Sequence, residues 1–394
     1  MISPSTSLTF RLAFFYGAIF ASIGVFLPFW PIWLESRGLS PIEIGMIIGA
    51  SFWPRIVTSL IIPNLADKWG KRRIAMIWTT ALTLVGLLAF ALVSDFWLFM
   101  ALSLLTGATW SCILPLGEAI SLDRIADAGL DYGRIRVWGS ITFILMSIIG
   151  GFALERAGAP MIFNLLIAMT ALTLIACLTM PDSGSASSAT APAHLSRLFV
   201  RKDLWLLVIA ASMIQASHIL LYNFGSIHWR AAGHSETVIG WLWAEGVIAE
   251  ILFFMVSTEL IKRMTPTRLL VIAGFLTIIR WVLNGFSASL PLLVFTQTLH
   301  AASFALTFLV TIRYLRDTTP PELRASAQGF YVAVAFAPLS GLLSLTSGWL
   351  YDMAEGRAFF AMAAVAAVGT VIALALPKLA APPSIEGSPQ SNPL

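Results

Sequence analysis

The chain has 394 residues, of which 58% are hydrophobic and 11% charged, against about 25% charged in soluble domains. No soluble fold of this length covers so much apolar surface, so the composition excludes a soluble enzyme and points to an all-α membrane protein. The net charge of +4 reflects where the cations sit relative to the apolar runs, and is not a nucleic-acid signal.

Runs of about 20 apolar residues, the length that spans a bilayer core, fall at 9–34, 41–63, 74–93, 96–119, 134–155, 159–180, 204–230, 236–258, 267–287, 291–314, 325–350 and 357–377. They predict twelve transmembrane helices. The first run is too long for a signal-peptide core and lacks a small-x-small site, so it is expected to be retained. Of the 24 Lys and Arg, eighteen fall in the loops and termini of one side and four, Arg37, Arg156, Arg230 and Arg357, on the other. That bias places both termini in the cytoplasm, of a bacterial-type inner membrane. Arg55 and Arg280 fall inside spans. Cys112 and Cys177 also lie within spans, too isolated for a disulfide frame or metal site.

The polar, Ser/Ala/Pro-rich stretch that begins at Pro181 reads as a flexible cytoplasmic linker over 181–203. It divides two six-helix bundles, 1–180 and 204–380, and a Pro/Ser-rich tail expected to be disordered follows at 381–394. An offset of 195 residues aligns Gly38-Leu-Ser40 with Gly233-His-Ser235, and Ile44-Gly45 with Ile239-Gly240. Such pseudo-symmetric halves are a transporter signature, with the substrate held between them. The same offset sets Arg55 opposite Glu250.

Charges within the bilayer cost roughly 2.5–3.5 kcal/mol each even on the more forgiving scale, so each needs a partner or a wet cavity. Glu245 and Glu250 are five apart, about 140° around a helix, and cannot share one small site. Glu250 reads as a proton carrier facing Arg280 or Arg55, or as a permanent structural ion pair. Glu245 reads as a second coupling or specificity acid, or as cavity lining. Arg280, with Asn284 one turn on, is a counter-ion to the proton acid or a docking group for a substrate carboxylate. Arg55 suits a carboxylate ligand for the same reason. His300 with Gln297 and Ser303, and His218 with Gln215 and Tyr222, form polar stripes that either serve function or pack. Trp30, Trp33, Trp97, Trp229 and Trp349 sit near span ends, as an aromatic belt would. Trp110, Trp243 and Trp281 are mid-span, placed to stack on an aromatic ligand or to fill the core.

Several motifs carry a family resemblance. Asp67-Lys-Trp-Gly70-Lys71-Arg72 resembles the loop signature of the major facilitator superfamily, with Pro63 where that family usually has Gly. The resemblance implies that Asp67, Lys68, Gly70, Lys71 and Arg72 latch one state of an alternating-access cycle; otherwise they form a basic anchor around a Gly turn. Asp131-Tyr-Gly-Arg-Ile-Arg136-Val-Trp-Gly-Ser140 and Pro115-Leu-Gly-Glu118 resemble helices five and four of the lactose-permease-like branch. This implies an acid–base pair of Glu118 and Arg136 facing the cavity. Arg280 and Thr298-Leu-His300 resemble that branch's proton-coupling positions, but Ser303 stands where an acid is expected. End to end, Phe26-Leu-Pro-Phe-Trp-Pro-Ile-Trp-Leu34, Gly240-Trp-Leu-Trp243 and Ala249-Glu250 look most like the 3-phenylpropionate permease type.

No phosphate-binding Gly-Lys-Ser/Thr run, metalloprotease motif or nucleophile elbow occurs, so no enzymatic activity and no cofactor are expected. The resemblance implies a monomeric secondary transporter in the lipid bilayer that imports a small organic anion, an aromatic monocarboxylate, with protons. A carrier of nucleosides, sugars or drugs, and a transport-inactive membrane sensor, are the alternatives.

Overall fold

The computed structural model describes residues 4–182, 201–319 and 324–376; the expected linker 181–203 lies mostly, and the tail 381–394 wholly, outside them. Seven helices precede the linker: α1 (Pro4–Ser36), α2 (Pro41–Ala50), α3 (Phe52–Lys68), α4 (Arg72–Phe90), α5 (Phe96–Ala128), α6 (Tyr132–Ala157) and α7 (Ala159–Thr179). After it come α8 (Lys202–Ala216), α9 (Ile219–Ala231), α10 (Glu236–Arg263), α11 (Pro266–Phe286) and α12 (Leu290–Thr298). A π-helical segment, Ala301–Leu306, leads into α13 (Thr307–Thr318), and α14 (Arg324–Phe330), α15 (Ala337–Ala354) and α16 (Phe359–Leu374) complete the described chain.

Among the described residues, eleven helical stretches are long and apolar enough to cross a membrane. The last, Ala327–Leu374, has 48 residues, about 72 Å if straight, against a bilayer core of about 30 Å. It turns instead at Glu355, whose φ is 47°, through the 3-10 turn Glu355–Ala358. Phe330 and Ala373, near its two ends, share a buried cluster with Leu204 and Leu207. Tyr351, Ala358 and Phe359, near its middle, lie with Ile227 and Trp229. The stretch runs out and back, where the sequence led us to expect separate runs at 325–350 and 357–377.

α1 packs on α6 and α7, α4 on α5 and α7, and α3 on α5; after the linker, α11 packs on α16 and α13, α16 on α8, and α10 on α12. The two groups meet where α6 packs on α10 and α2 on α15. The residues aligned by the 195-residue offset do the same local work at these contacts. Gly38 and Gly233 take φ of 83° and 92°, a region that favours glycine. Ser40 then caps α2 by accepting from Glu43 N at 3.3 Å, and Ser235 caps α10 by accepting from Val238 N at 3.4 Å.

Gly45 and Gly240 sit at the crossings themselves. A Cβ on Gly45 would lie 2.8 Å from the Ser344 carbonyl oxygen and 2.9 Å from Gly348 Cα, and one on Gly240 would strike the Ser147 carbonyl oxygen. Absent side chains let the backbones approach, the usual device at helix contacts in lipid. Polar ties secure the same end: Arg230 pairs with Glu35, Thr237 N donates to Glu155 Oε2 at 3.0 Å, and Ser344 Oγ donates to the Gly45 carbonyl at 3.2 Å.

The aromatic belt is smaller than expected. Trp97 and Trp349 are exposed, but Trp30, Trp33 and Trp229 are buried. Trp30 stacks on Trp33 with ring centroids 4.7 Å apart, and Trp33 on Phe163 at 4.9 Å. These indoles fill the core at the tied end because α1 is enclosed by α6 and α7.

Replacing Gly45 or Gly240 by Val is expected to hold this end open. Spin labels at Arg37 and Ala232, read by double electron–electron resonance, should then move apart by several ångström; an unchanged distance distribution would count against the crossing glycines as the seal.

Candidate functional site

A cavity of about 900 Å³ lies where the two groups of helices face each other, within the size range of small-molecule sites. Phe20 of α1, Phe143 of α6, Tyr222 of α9, Trp243 of α10 and Phe304 of the π-helical segment line it, with Arg136, Glu250, Arg280 and His300 among them. The wall is therefore mainly apolar and rich in aromatic rings, with two cations, one acid and one imidazole.

Arg280 is wholly buried on α11. Its Nη1 donates to His300 Nδ1 at 3.0 Å and to Ser303 Oγ at 3.0 Å, and its Nη2 donates to Gln297 Oε1 at 2.7 Å. Nε is buried without a hydrogen-bond partner. Among the described residues no carboxylate pairs with this guanidinium. Neutral acceptors hold it, so its positive charge is solvated but not cancelled.

Donor chemistry then fixes the imidazole tautomers. Arginine only donates, so His300 Nδ1 must accept, and the neutral ring carries its proton on Nε2. That nitrogen faces Glu250 Oε2 at 3.9 Å. His218 Nδ1 lies 3.0 Å from the Gln215 carbonyl, which only accepts, so this nitrogen carries the proton. His218 Nε2 therefore accepts from Ser303 Oγ at 3.0 Å. Two interruptions bring these groups together: α8 gives way to α9 at Ser217 and His218, and α12 gives way at His300 to the π-helical segment. Such local departures from α geometry recur at functional sites. Trp281 Nε1 donates to Ser217 Oγ at 2.8 Å and anchors the first interruption to α11.

Several expected site residues lie elsewhere. Glu250 borders the cavity with Gly246, Val247 and Ile251, but the basic side chain nearest its carboxylate is the His300 imidazole, and neither Arg280 nor Arg55 pairs with it. Arg55 turns back along α3 to the Ser51 carbonyl at 3.0 Å and Ser51 Oγ at 3.1 Å, over the Phe52 ring. Glu245 is half-buried on the Trp241 and Ile248 side of α10, away from the cavity lining, as the five-residue spacing requires. Asn284 donates to the Arg280 carbonyl at 2.8 Å and takes no part in the wall. Gln215, which donates to the Phe304 carbonyl at 3.1 Å, and His218 stand behind the wall. Tyr222, Trp243 and Gln297 border the cavity, with Trp243 Nε1 donating to Ser226 Oγ at 2.8 Å and Gln297 Nε2 to the Leu242 carbonyl at 2.8 Å.

The expected pair of Glu118 and Arg136 is not formed. Tyr132 donates its hydroxyl to Glu118 Oε1 at 2.5 Å, while the Arg136 guanidinium lies 4.0 Å from the Phe20 ring centroid and 5.4 Å from that of Tyr16. The aromatic faces hold the cation, and Gly139 leaves it room: a Cβ there would lie 2.8 Å from the Phe20 ring and 2.9 Å from Arg136 Nη1. Tyr132 and Phe20 were missed from the sequence, though Tyr132 stands within the quoted Asp131–Ser140 motif. In the loop motif, Asp67 pairs with Arg72, whose Nη1 also reaches Asp123 Oδ2 at 2.5 Å. Gly70 turns there with φ 62°, and Lys68 and Lys71 are exposed.

Comparison with known proteins matches residues 9–362 to the MFS_1 like family. The chain is 31% identical over 360 residues to the probable 3-phenylpropionic acid transporter of Escherichia coli (strain K12), covering 90% of this chain and 94% of that protein. It is 25% identical to the maltose permease of Geobacillus stearothermophilus, over 92% of this chain and 93% of that one. Among solved structures, the nucleoside transporter NupG superposes with a TM-score of 0.81 at 18% identity, over 94% of this chain and 98% of that one. With this family match across most of its length, on a helical fold built around a central cavity, the chain belongs to the MFS_1 like family of multi-pass membrane transporters and is not an enzyme.

Proposed function

We propose that this secondary transporter imports a small aromatic monocarboxylate such as 3-phenylpropionate together with protons, by alternating access. The observation that carries the reading is a guanidinium without a carboxylate partner, Arg280, beside a cavity walled by Tyr222, Trp243, Phe20 and Phe304. A ligand carboxylate supplies the missing charge through charge-assisted hydrogen bonds, and a ligand ring packs on the aromatic wall. The 31% identity to a probable 3-phenylpropionic acid transporter supports the same substrate class.

Glu250 is the acid in this wall, and His300 Nε2–H stands between it and Arg280. An ionised Glu250 repels an incoming carboxylate, whereas a protonated one does not, so anion and proton each favour the other's binding. In the proposed cycle, proton and anion load together, the halves 1–180 and 204–380 rock about the cavity, and both leave into the cytoplasm, where both termini lie. Arg136 steers the anion from the first half, Tyr132 keeps Glu118 occupied, and the Asp67, Arg72 and Asp123 cluster latches one state. The carrier works as a monomer.

In proteoliposomes, 3-phenylpropionate is expected to accumulate only under an inwardly directed proton gradient; gradient-independent accumulation would contradict symport. With Glu250→Gln, exchange of labelled for unlabelled substrate should persist while gradient-driven accumulation falls roughly 100-fold, a loss of about 2.7 kcal/mol of coupling. Undiminished accumulation would remove Glu250 from the mechanism.

A further inference from the structure

Arg280 has five N–H donors. Three are engaged by His300 Nδ1, Ser303 Oγ and Gln297 Oε1. Of these three acceptors, Ser303 Oγ is wholly buried, stands one layer behind the cavity wall, and donates its own hydrogen bond to His218 Nε2. The π-helical segment that starts at Ala301 sets this hydroxyl and His300 Nδ1 against the same nitrogen of Arg280, each at 3.0 Å. A carboxylate on the Ser303 side chain would fall on that nitrogen and neutralise the guanidinium from within the protein. A hydroxyl cannot.

We propose that Ser303 is the specificity-determining residue for ligand charge: as a neutral acceptor it leaves the Arg280 charge for the ligand, and so selects anions over uncharged molecules of the same shape. This rests on the reading of Arg280 as the receptor for a ligand carboxylate, and adds that the choice between anionic and neutral ligands is made behind the wall. The aromatic wall recognises the rest of the molecule without regard to its charge. Gln297 is the second place where the same change can be made, because its Oε1 accepts from Nη2 at 2.7 Å and Glu is isosteric with Gln.

The test compares binding of 3-phenylpropionate with binding of its uncharged amide, 3-phenylpropionamide, to the purified full-length protein by isothermal titration calorimetry at one pH. The unsubstituted protein should prefer the carboxylate by roughly tenfold or more, the scale of one charge-assisted hydrogen bond. Ser303→Asp should erase that preference or invert it. Ser303→Asn, of similar size but uncharged, should keep the carboxylate-to-amide ratio whatever it does to either affinity, which separates charge from bulk. Should Ser303→Asp fail to give a monodisperse protein, Gln297→Glu carries the same expectation. If both charged variants keep the parental ratio, the role of Ser303 is overturned while the anion reading stands. If the unsubstituted protein shows no preference for the carboxylate, the anion reading falls and the inference falls with it.

Discussion

The site depends on one constraint: a guanidinium buried in the membrane region and held by neutral acceptors. Taking a charge out of water costs several kcal/mol even after the protein relaxes, and hydrogen bonds from a charged donor return about 1.5–3 kcal/mol each. Gln297, His300 and Ser303 make Arg280 tolerable without cancelling its charge. The residual charge gives the cavity its sign. It also forces His300 into the tautomer whose Nε2–H faces Glu250, so the proposed anion and proton sites are linked by a single imidazole.

The two groups of helices treat their cations differently. In the first, Arg136 rests on the faces of Phe20 and Tyr16, and Glu118 is taken by Tyr132. In the second, Arg280 of α11 is fixed by three acceptors: Gln297 of α12, His300 at the junction, and Ser303 of the π-helical segment. A cation on aromatic faces is held without directional hydrogen bonds, whereas one gripped by three acceptors is fixed in orientation. Both border a cavity whose far end is drawn together by the glycine crossings at Gly45 and Gly240 and by the Arg230–Glu35 pair.

Much of this was legible in the sequence because it is periodic or local. Apolar run lengths located the spans. The repeat offset aligned Ser40 with Ser235 and Gly45 with Gly240, and the structure gives each pair one role, as caps and at crossings. Helical spacing separated Glu250, at the cavity, from Glu245, on the Trp241 side. What was not legible depends on reach across helices. The pairing of Tyr132 with Glu118 needs α5 and α6 side by side, and no spacing rule reports that a phenol outcompetes Arg136. The partners of Arg280 depend on a π-helical segment that shifts register at His300. Trp30 and Trp33 lie near a span end, yet α1 is enclosed by its neighbours, so position along the span misread them as a belt.

On the proposed function, Arg280 keeps its charge for a ligand carboxylate. The most direct measurement is a structure of the protein with 3-phenylpropionate bound, determined by cryo-electron microscopy. The carboxylate oxygens are expected about 3 Å from Arg280 nitrogens, with the phenyl ring against Tyr222 and Trp243. A carboxylate seated on Arg136, with Arg280 still bonded only to Gln297, His300 and Ser303, would contradict it.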